Sequence, residues 1–277
     1  MLQRTTSWLS AALLATALVA LTAIAAQAAA TVHFYGHSAF RIETPSGGVI
    51  LIDPWLSTPT NPEKDSVAKL GKVDYIFLTH GHRDHVGESV EIAKKTGAVL
   101  IAPYGLAFNM KSVLGYPEKQ ATTATSGSVG GTYDLANIGV KVTVVNAIHG
   151  SELTLENQPA GQPSAIASGN PVGYVLEIKG GPTIYFTGDT DVYMDMKLIA
   201  EFFKVDLMMV CIGGHFTMDP VRAALAVEWV NPKQAVPMHF GTYGLLKGTP
   251  AQFKDALEKR KLDGRMLEMK PGETRTF

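Results

Sequence analysis

The chain carries the sequence Thr79-His80-Gly81-His82-Arg83-Asp84-His85 at the end of an apolar run, residues 73–79, that is typical of a buried strand. Imidazole nitrogen and carboxylate oxygen are ligands that zinc and similar divalent metals accept. We expect Gly81 to permit a sharp turn by adopting backbone angles that other residues avoid. His80 and His82 can then face one metal ion, while Asp84 and His85 face a second one.

Three further candidate ligands lie far along the chain from this cluster. His149, Asp189 and His239 each follow a run of residues with strand character. Side chains in the turns after strands converge at one rim of a sheet, and the strand ends hold them rigidly. We therefore expect these three residues to complete a metal site with the first cluster.

The order of the predicted elements indicates two sheets rather than one. Strands are predicted at 31–35, 39–43, 49–53, 73–79, 98–102, 172–178, 183–187, 205–212 and 234–238, with two or three more within 128–148 and two after the last helix. Helices are predicted at 88–96, 105–114 and 193–203, from Asp219-Pro220 onwards, and after the capping box Thr249-Pro250-Ala251-Gln252. Residues 151–170 are expected to form a long surface loop. This order favours an α+β four-layer αββα sandwich, with two mixed sheets face to face and helices outside.

Taken together, these motifs resemble the metallo-β-lactamase superfamily. More closely, the chain is similar to the prokaryotic metal-dependent hydrolases of unassigned substrate that are related to the L-ascorbate-6-phosphate lactonases. The closer likeness is carried by Tyr35-Gly36-His37-Ser38, Ile52-Asp53-Pro54, Asn170-Pro171-Val172-Gly173 and Ile212-Gly213-Gly214-His215-Phe216-Thr217-Met218. It covers essentially the whole chain after residue 30.

The resemblance implies the metallo-β-lactamase fold and two divalent metal ions, zinc in the first place, with manganese or iron as alternatives. It implies that His80, His82 and His149 bind the first ion, that Asp84, His85 and His239 bind the second, and that Asp189 bridges both. Hydroxide held between the ions then cleaves an ester, lactone, amide or phosphoester of a small molecule. Cys211 lies in an apolar run and is expected to be buried. It is therefore not the counterpart of the cysteine that binds the second metal ion in the zinc β-lactamases.

Three more polar residues are candidates for a role beside the metal ligands. Asp53 is expected to hydrogen-bond a ligand histidine, the alternative being a simple turn cap. His37 is expected to reach the site from its Gly-His-Ser turn or to serve that turn alone. His215, like Asp84, is a candidate catalytic residue. It would donate a proton to the leaving group or bind a substrate anion, unless it only packs at the start of a helix.

The composition narrows the choice of partners. A net charge of −1 and the lack of a polybasic run give no reason to expect nucleic acid, which leaves a small-molecule substrate. A homo-oligomer remains open. Two other functions also remain open, namely a phosphodiesterase acting on lipid or nucleotide and a non-hydrolytic metal-binding protein, for example a redox-active iron protein.

The first thirty residues have the composition of a cleavable signal peptide. Arg4 precedes an apolar run, residues 8–24, and the overlapping triplets Ala26-Gln27-Ala28 and Ala28-Ala29-Ala30 fit the cleavage rule for small residues. We therefore predict a leader over 1–30, a hydrolase domain over 31–277, and export to the periplasm or beyond without a stable membrane anchor. An uncleaved leader would instead anchor the chain, because about 20 apolar residues can span a bilayer.

Overall fold

The computed structural model describes residues 29–155, 159 and 162–277. The predicted leader therefore lies outside the described residues, except for Ala29 and Ala30. Ala30 is buried, and its N–H donates to the Phe277 carbonyl at 3.1 Å while its own carbonyl accepts from the Phe277 N–H at 2.8 Å. Ala30 thus already belongs to the folded domain, one residue before the predicted boundary.

A seven-stranded mixed sheet forms the first half of the domain. Its strands are β1 (Thr31–Gly36), β2 (Ala39–Glu43), β3 (Val49–Ile52), β4 (Tyr75–Phe77), β5 (Val99–Pro103), β6 (Ser126–Gly127) and β15 (Glu273–Thr276), in the order β15-β1-β2-β3-β4-β5-β6. Strand β3 pairs antiparallel with β2 and parallel with β4. The carboxyl ends of β3 and β4 therefore lie side by side at one edge of the sheet.

A six-stranded mixed sheet forms the second half. Its strands are β7 (Thr132–Leu135), β8 (Val140–Asn146), β11 (Val172–Ile178), β12 (Thr183–Phe186), β13 (Leu207–Cys211) and β14 (Gln234–Met238), in the order β14-β13-β12-β11-β8-β7. Strands β12, β13 and β14 are parallel, and β11 is antiparallel to both β12 and β8. Strands β8, β12 and β14 consequently point the same way, and their carboxyl ends share one edge.

Helices cover the outer faces of the two sheets. The described helices are α1 (Ser66–Lys69), α2 (Arg83–Val86), α3 (Ser89–Thr96), α4 (Tyr104–Ser112), α5 (Met196–Phe202), α6 (Pro220–Val230) and α7 (Pro250–Lys259), with 3-10 turns at Glu118–Gln120, Ala136–Ile138 and Asp263–Arg265. Alternation along β4 shows the layering, because Phe77 packs with the second sheet whereas Ile76 packs in the cluster that includes α3 and α4. The predicted αββα sandwich is confirmed.

Local signals at two helix starts behave as the sequence predicts. The Asp219 carboxylate accepts from the backbone N–H groups of Val221 and Arg222 at the start of α6. Thr249 and Gln252 form the predicted capping box at the start of α7. Within the described parts of the chain, none of the helices is long and apolar enough to cross a membrane.

Two predictions about secondary structure are wrong. The segment 151–170 contains β9 (Glu152–Thr154) and β10 (Ala165–Ala167), which pair antiparallel instead of forming a plain loop. After the last helix the described chain has β15 and, in place of a second strand, an isolated bridge between Met266 and Ala235. Strands of about three residues are too short for an alternating pattern to stand out in the sequence.

Candidate metal centre

Four strand ends meet where the edges of the two packed sheets lie side by side. Strand β4 leads into the turn and short helix that carry His80 to His85, and β8, β12 and β14 lead into His149, Asp189 and His239. The structure thus brings all seven predicted ligands together. Most of the ligands fall into two sets of neighbouring atoms, one of His80, His82 and His149, the other of Asp84, His85, His239 and also His37. A third group, of Asp53, His80 and His85, overlaps both sets.

The Asp189 carboxylate lies at the centre of the cluster. Its Oδ2 is 2.9 Å from His239 Nε2, 3.3 Å from His85 Nε2, 3.6 Å from His149 Nε2 and 4.0 Å from His80 Nε2. Its other oxygen, Oδ1, is buried and accepts no hydrogen bond within the described part of the chain. Since buried carboxylates are normally fully paired, this free oxygen is what a cation site requires.

The first set of imidazoles presents lone pairs to one another. His80 Nδ1 lies 2.9 Å from Thr79 Oγ1, and that hydroxyl donates to Asp53 at 2.7 Å, so His80 Nδ1 must be the donor. His82 Nε2 lies 3.2 Å from the Glu152 carboxylate, which can only accept. In neutral imidazoles the lone pairs are then on His80 Nε2 and His82 Nδ1, and these two atoms are 3.0 Å apart.

A metal ion between these nitrogen atoms would remove the repulsion between their lone pairs. Two nitrogen lone pairs in contact repel each other unless a cation lies between them, and His149 Nε2 approaches His82 Nδ1 at 3.2 Å from a third side. Ligand atoms in a tetrahedral zinc site lie about 3.3 Å from one another, given bonds of about 2.0 Å. The residues present therefore fit a divalent metal ion.

His37 lies close to the second set, but both of its ring nitrogens are engaged in hydrogen bonds and neither has a lone pair free for a metal ion. Burial and the nearby His239 lower the pKa of His37 to about 4, so the imidazole is neutral at pH 7. Its Nε2 lies 3.1 Å from Asp84 Oδ2 and must donate to that carboxylate, while Nδ1 accepts from the Thr242 hydroxyl at 2.8 Å. His37 thus orients Asp84, as an outer partner of a metal ligand does.

Asp53 connects the two sets of ligands. The carboxylate is fully buried, accepts from the Thr79 N–H at 2.9 Å and the Thr79 hydroxyl at 2.7 Å, and accepts from His85 Nδ1 at 2.7 Å. Through Thr79 it also fixes the donor of His80. One aspartate therefore directs Nε2 of one histidine in each set toward the centre.

Charges within the cluster favour a cation. Burial and the neighbouring His85 hold the pKa of His80 well below its usual range. Burial alone would lower the pKa of His85, but the carboxylates of Asp189 and Asp53 raise it well above the usual range. Burial likewise opposes ionisation of Asp189, yet His239 and His85 hold its pKa well below its usual value. A negative charge on Asp189 is thus maintained among nitrogen ligands.

Gly81 is required for a different reason from the one that we predicted. Its φ is not in the left-handed region. A Cβ at this position would instead lie 2.9 Å from the backbone nitrogen of Leu153 and 3.0 Å from the carbonyl carbon of Glu152. Glycine is needed because β9 packs directly against the turn, and this close contact is what allows Glu152 to reach His82.

His215 does not join the cluster, contrary to our expectation that it faces the same rim. It lines a neighbouring cavity of about 560 Å³, whereas Phe216 lines the metal cavity of about 420 Å³. Gly214 (φ 70°) and His215 (φ 57°) both have left-handed backbone angles, so the chain reverses here and successive side chains enter different cavities. Cys211, as expected, is buried, and burial with the nearby Asp189 raises the pKa of its thiol to about 12.

Thr79 and Glu152 hydrogen-bond two of the ligands, and the sequence analysis assigned a role to neither. Their hydrogen bonds fix which nitrogen of His80 and of His82 faces the centre. Thr79 is next to the histidine cluster in the sequence, and this position is compatible with a contact to a ligand. Glu152 lies 70 residues from His82, and no local pattern distinguishes it from other exposed glutamates.

Replacing Glu152 by alanine is expected to weaken zinc binding about 10-fold, because loss of an outer partner lets the His82 ring rotate and change tautomer. Competition with a chromophoric chelator measures this affinity directly. Glu152→Gln keeps an acceptor oxygen and should restore most of it, while Glu177→Ala, at an exposed ion pair with Lys141, serves as the matched control. Equal zinc affinity in Glu152→Ala and wild type would contradict the orienting role.

Comparison with known proteins places this site in a family. The profile of the Beta-lactamase superfamily domain matches residues 49–240, which include all seven candidate ligands. The chain is 49% identical over 258 residues to the UPF0173 metal-dependent hydrolase of Thermodesulfovibrio yellowstonii, covering 93% of this chain and 96% of that protein. It is also 49% identical over 250 residues to the one of Anaeromyxobacter dehalogenans, covering 90% and 87%.

Solved structures agree with this placement. Igni18, a metallo hydrolase from Ignicoccus hospitalis, superposes with a TM-score of 0.75 at 30% identity, covering 90% of this chain and 98% of that one. The family match spans most of the domain, and the relatives are similar along nearly their whole length. The chain therefore belongs to the β-lactamase superfamily, in the group whose members are named UPF0173 metal-dependent hydrolases.

Proposed function

We propose that the protein is an exported hydrolase that uses two divalent metal ions, in the first place zinc, to cleave an ester, lactone, amide or phosphoester bond of a small molecule. The observation that carries this proposal is the position of Asp189 Oδ2 within 4.0 Å of four histidine Nε2 atoms from three different strand ends. A single carboxylate among so many nitrogen ligands is suited to hold two ions close together.

The residues divide between the two ions. His80, His82 and His149 would hold the first, Asp84, His85 and His239 the second, and Asp189 both. When bound, a pair of such ions supplies an activated water near neutral pH and polarises the bond to be cleaved. The chain itself contributes orientation, because Asp53, Thr79, Glu152 and His37 set the tautomers and rotamers of the ligands.

Purified protein tests this function directly. We expect about two metal ions per chain by mass spectrometry of the elements, and hydrolysis of at least one class in a panel of aryl esters, lactones, β-lactams and phosphodiesters. Dialysis against a chelator should abolish turnover, and added zinc or manganese should restore it. Less than about one ion per chain, or turnover that survives chelation, would contradict the proposal.

Export is proposed from the leader, and the fold helps to choose between its two cleavage sites. Cleavage after Ala30 would remove the residue whose backbone pairs with Phe277, whereas cleavage after Ala28 retains it. We therefore expect the exported protein to begin at Ala29, as read by N-terminal mass spectrometry. Recovery of the protein only in the cytoplasm with Met1 intact would rule this out.

A further inference from the structure

An apolar wall borders the candidate metal centre. Phe216, Tyr243 and Leu245 line the same cavity as the metal ligands, and they are 48%, 39% and 52% exposed to solvent. Tyr243 stacks on Trp55 with ring centroids 5.9 Å apart. We refer to Phe216, Tyr243 and Leu245 as the apolar wall. Large apolar side chains exposed together beside a concave site mark a surface that binds an apolar ligand.

Once the ligands are set aside, the described lining of the cavity has both polar groups and the apolar wall. Among the described residues that line it, the remaining polar side chains are Arg83, Thr154 and the hydroxyl of Tyr243. Polar groups of a substrate that lay against the apolar wall would lack hydrogen-bond partners, and each one left unpaired costs binding free energy. The wall therefore suits an apolar part of the substrate, while Arg83 adds a positive charge to the same cavity.

Apolar side chains also line part of the neighbouring cavity. Leu245 also lines the neighbouring cavity of about 560 Å³, together with Val221, Pro220 and Ala256. Val221 is 63% exposed. The charged side chains of this second cavity, Lys247, Lys259, Asp219 and Asp255, balance in sign, so it has no net preference for an anion. Leu245 thus lines both the cavity at the metal ligands and the neighbouring one.

We propose that the substrate is an ester or lactone with an apolar acyl chain, which lies against the apolar wall and extends past Leu245 toward Val221. This inference rests on the proposed hydrolase function and specifies its substrate class. The carbonyl carbon would lie among the metal ligands. The acyl chain of the substrate leaves water and contacts Phe216, Tyr243 and Leu245. Burial of each of its methylene groups strengthens binding.

Hydroxamic acids of different length test the path without requiring turnover, because the hydroxamate group binds zinc and the chain is free to occupy the wall. We expect zinc-loaded protein to bind octanohydroxamic acid at least about 100-fold more tightly than acetohydroxamic acid by calorimetry, since up to six more methylene groups are buried. The same order is expected in kcat/KM for p-nitrophenyl octanoate against p-nitrophenyl acetate.

Variants locate the chain on the wall. Leu245→Asn keeps the size of the side chain and should reduce the ratio between the two hydroxamates at least about 10-fold. Phe202→Ser, at an exposed phenylalanine of α5 that lines neither cavity, should leave this ratio unchanged.

The outcomes separate this inference from the proposed function. Equal binding of the two hydroxamates to a zinc-loaded, hydrolytically active protein would overturn the acyl-chain path while leaving hydrolysis intact. A length preference that persists in Leu245→Asn would also overturn it, because the chain would then lie elsewhere. Binding of neither probe to the zinc-treated protein, with no zinc retained, would contradict the metal centre itself.

Discussion

Replacing Asp189 by asparagine is expected to remove at least one metal ion and to lower kcat/KM more than about 100-fold, beyond the effect of losing an outer partner of a ligand. The carboxylate lies within 4.0 Å of histidine Nε2 atoms from both ligand sets. Asparagine keeps the shape but removes the charge that offsets two divalent cations, and its amide hydrogens would point at nitrogen ligands.

A neighbouring aspartate provides the matched control for this variant. Asp191 lies two residues further along and forms an exposed ion pair with Arg222 at 3.1 Å. Exposed pairs contribute about 0–1 kcal/mol, so Asp191→Asn should keep its metal content, activity and stability. Elemental analysis and circular dichroism on both variants separate loss of metal from loss of fold. An Asp189→Asn protein with full metal content and activity would show that this residue does not bridge two ions.

The second large effect is expected from Asp53→Asn, in a residue that contacts no metal in our proposal. We expect the protein to fold but to bind metal about 100-fold more weakly. Asparagine retains an acceptor for the Thr79 N–H and tolerates the left-handed backbone of this position, φ 44°. Its amide group, however, donates toward His85 Nδ1. His85 then adopts the other tautomer, with the proton on the Nε2 that should bind metal, and a wrong tautomer disables a histidine even when its geometry is kept.

Nitrogen NMR of the histidine side chains distinguishes this cause from general damage, because it reports which ring nitrogen carries the proton. Asp74→Asn is the control, since Asp74 also accepts a backbone N–H, from Val49 at 2.8 Å, but contacts no histidine.

Asp53→Ala is expected to destabilise the protein more than Asp53→Asn does. Asp53→Ala leaves three buried donors unpaired and should lower the free energy of unfolding by about 3 kcal/mol or more. Unchanged His85 tautomer and metal affinity in Asp53→Asn would refute the argument.

The polar network that makes both variants informative could be predicted only in part. The position of Asp53 after a strand pointed to a histidine partner, and His85 is that partner at 2.7 Å. Its second connection, through the Thr79 hydroxyl to His80, depends on rotamers that follow only once β3 and β4 are paired in register. The sequence also gave no sign that Glu152 would orient His82.

The sequence by itself determined the fold class and the set of candidate ligands. Apolar runs that each end in a histidine or an aspartate encode both properties locally, because a strand and the residue after it need no distant partner to be recognised. Tertiary structure alone decided which nitrogen of each histidine faces inward, that Gly81 is required by the close contact of β9, and that Phe216 rather than His215 lines the metal cavity. Those properties depend on backbone angles at single residues and on contacts between segments as far as 70 residues apart, and no periodic pattern records either.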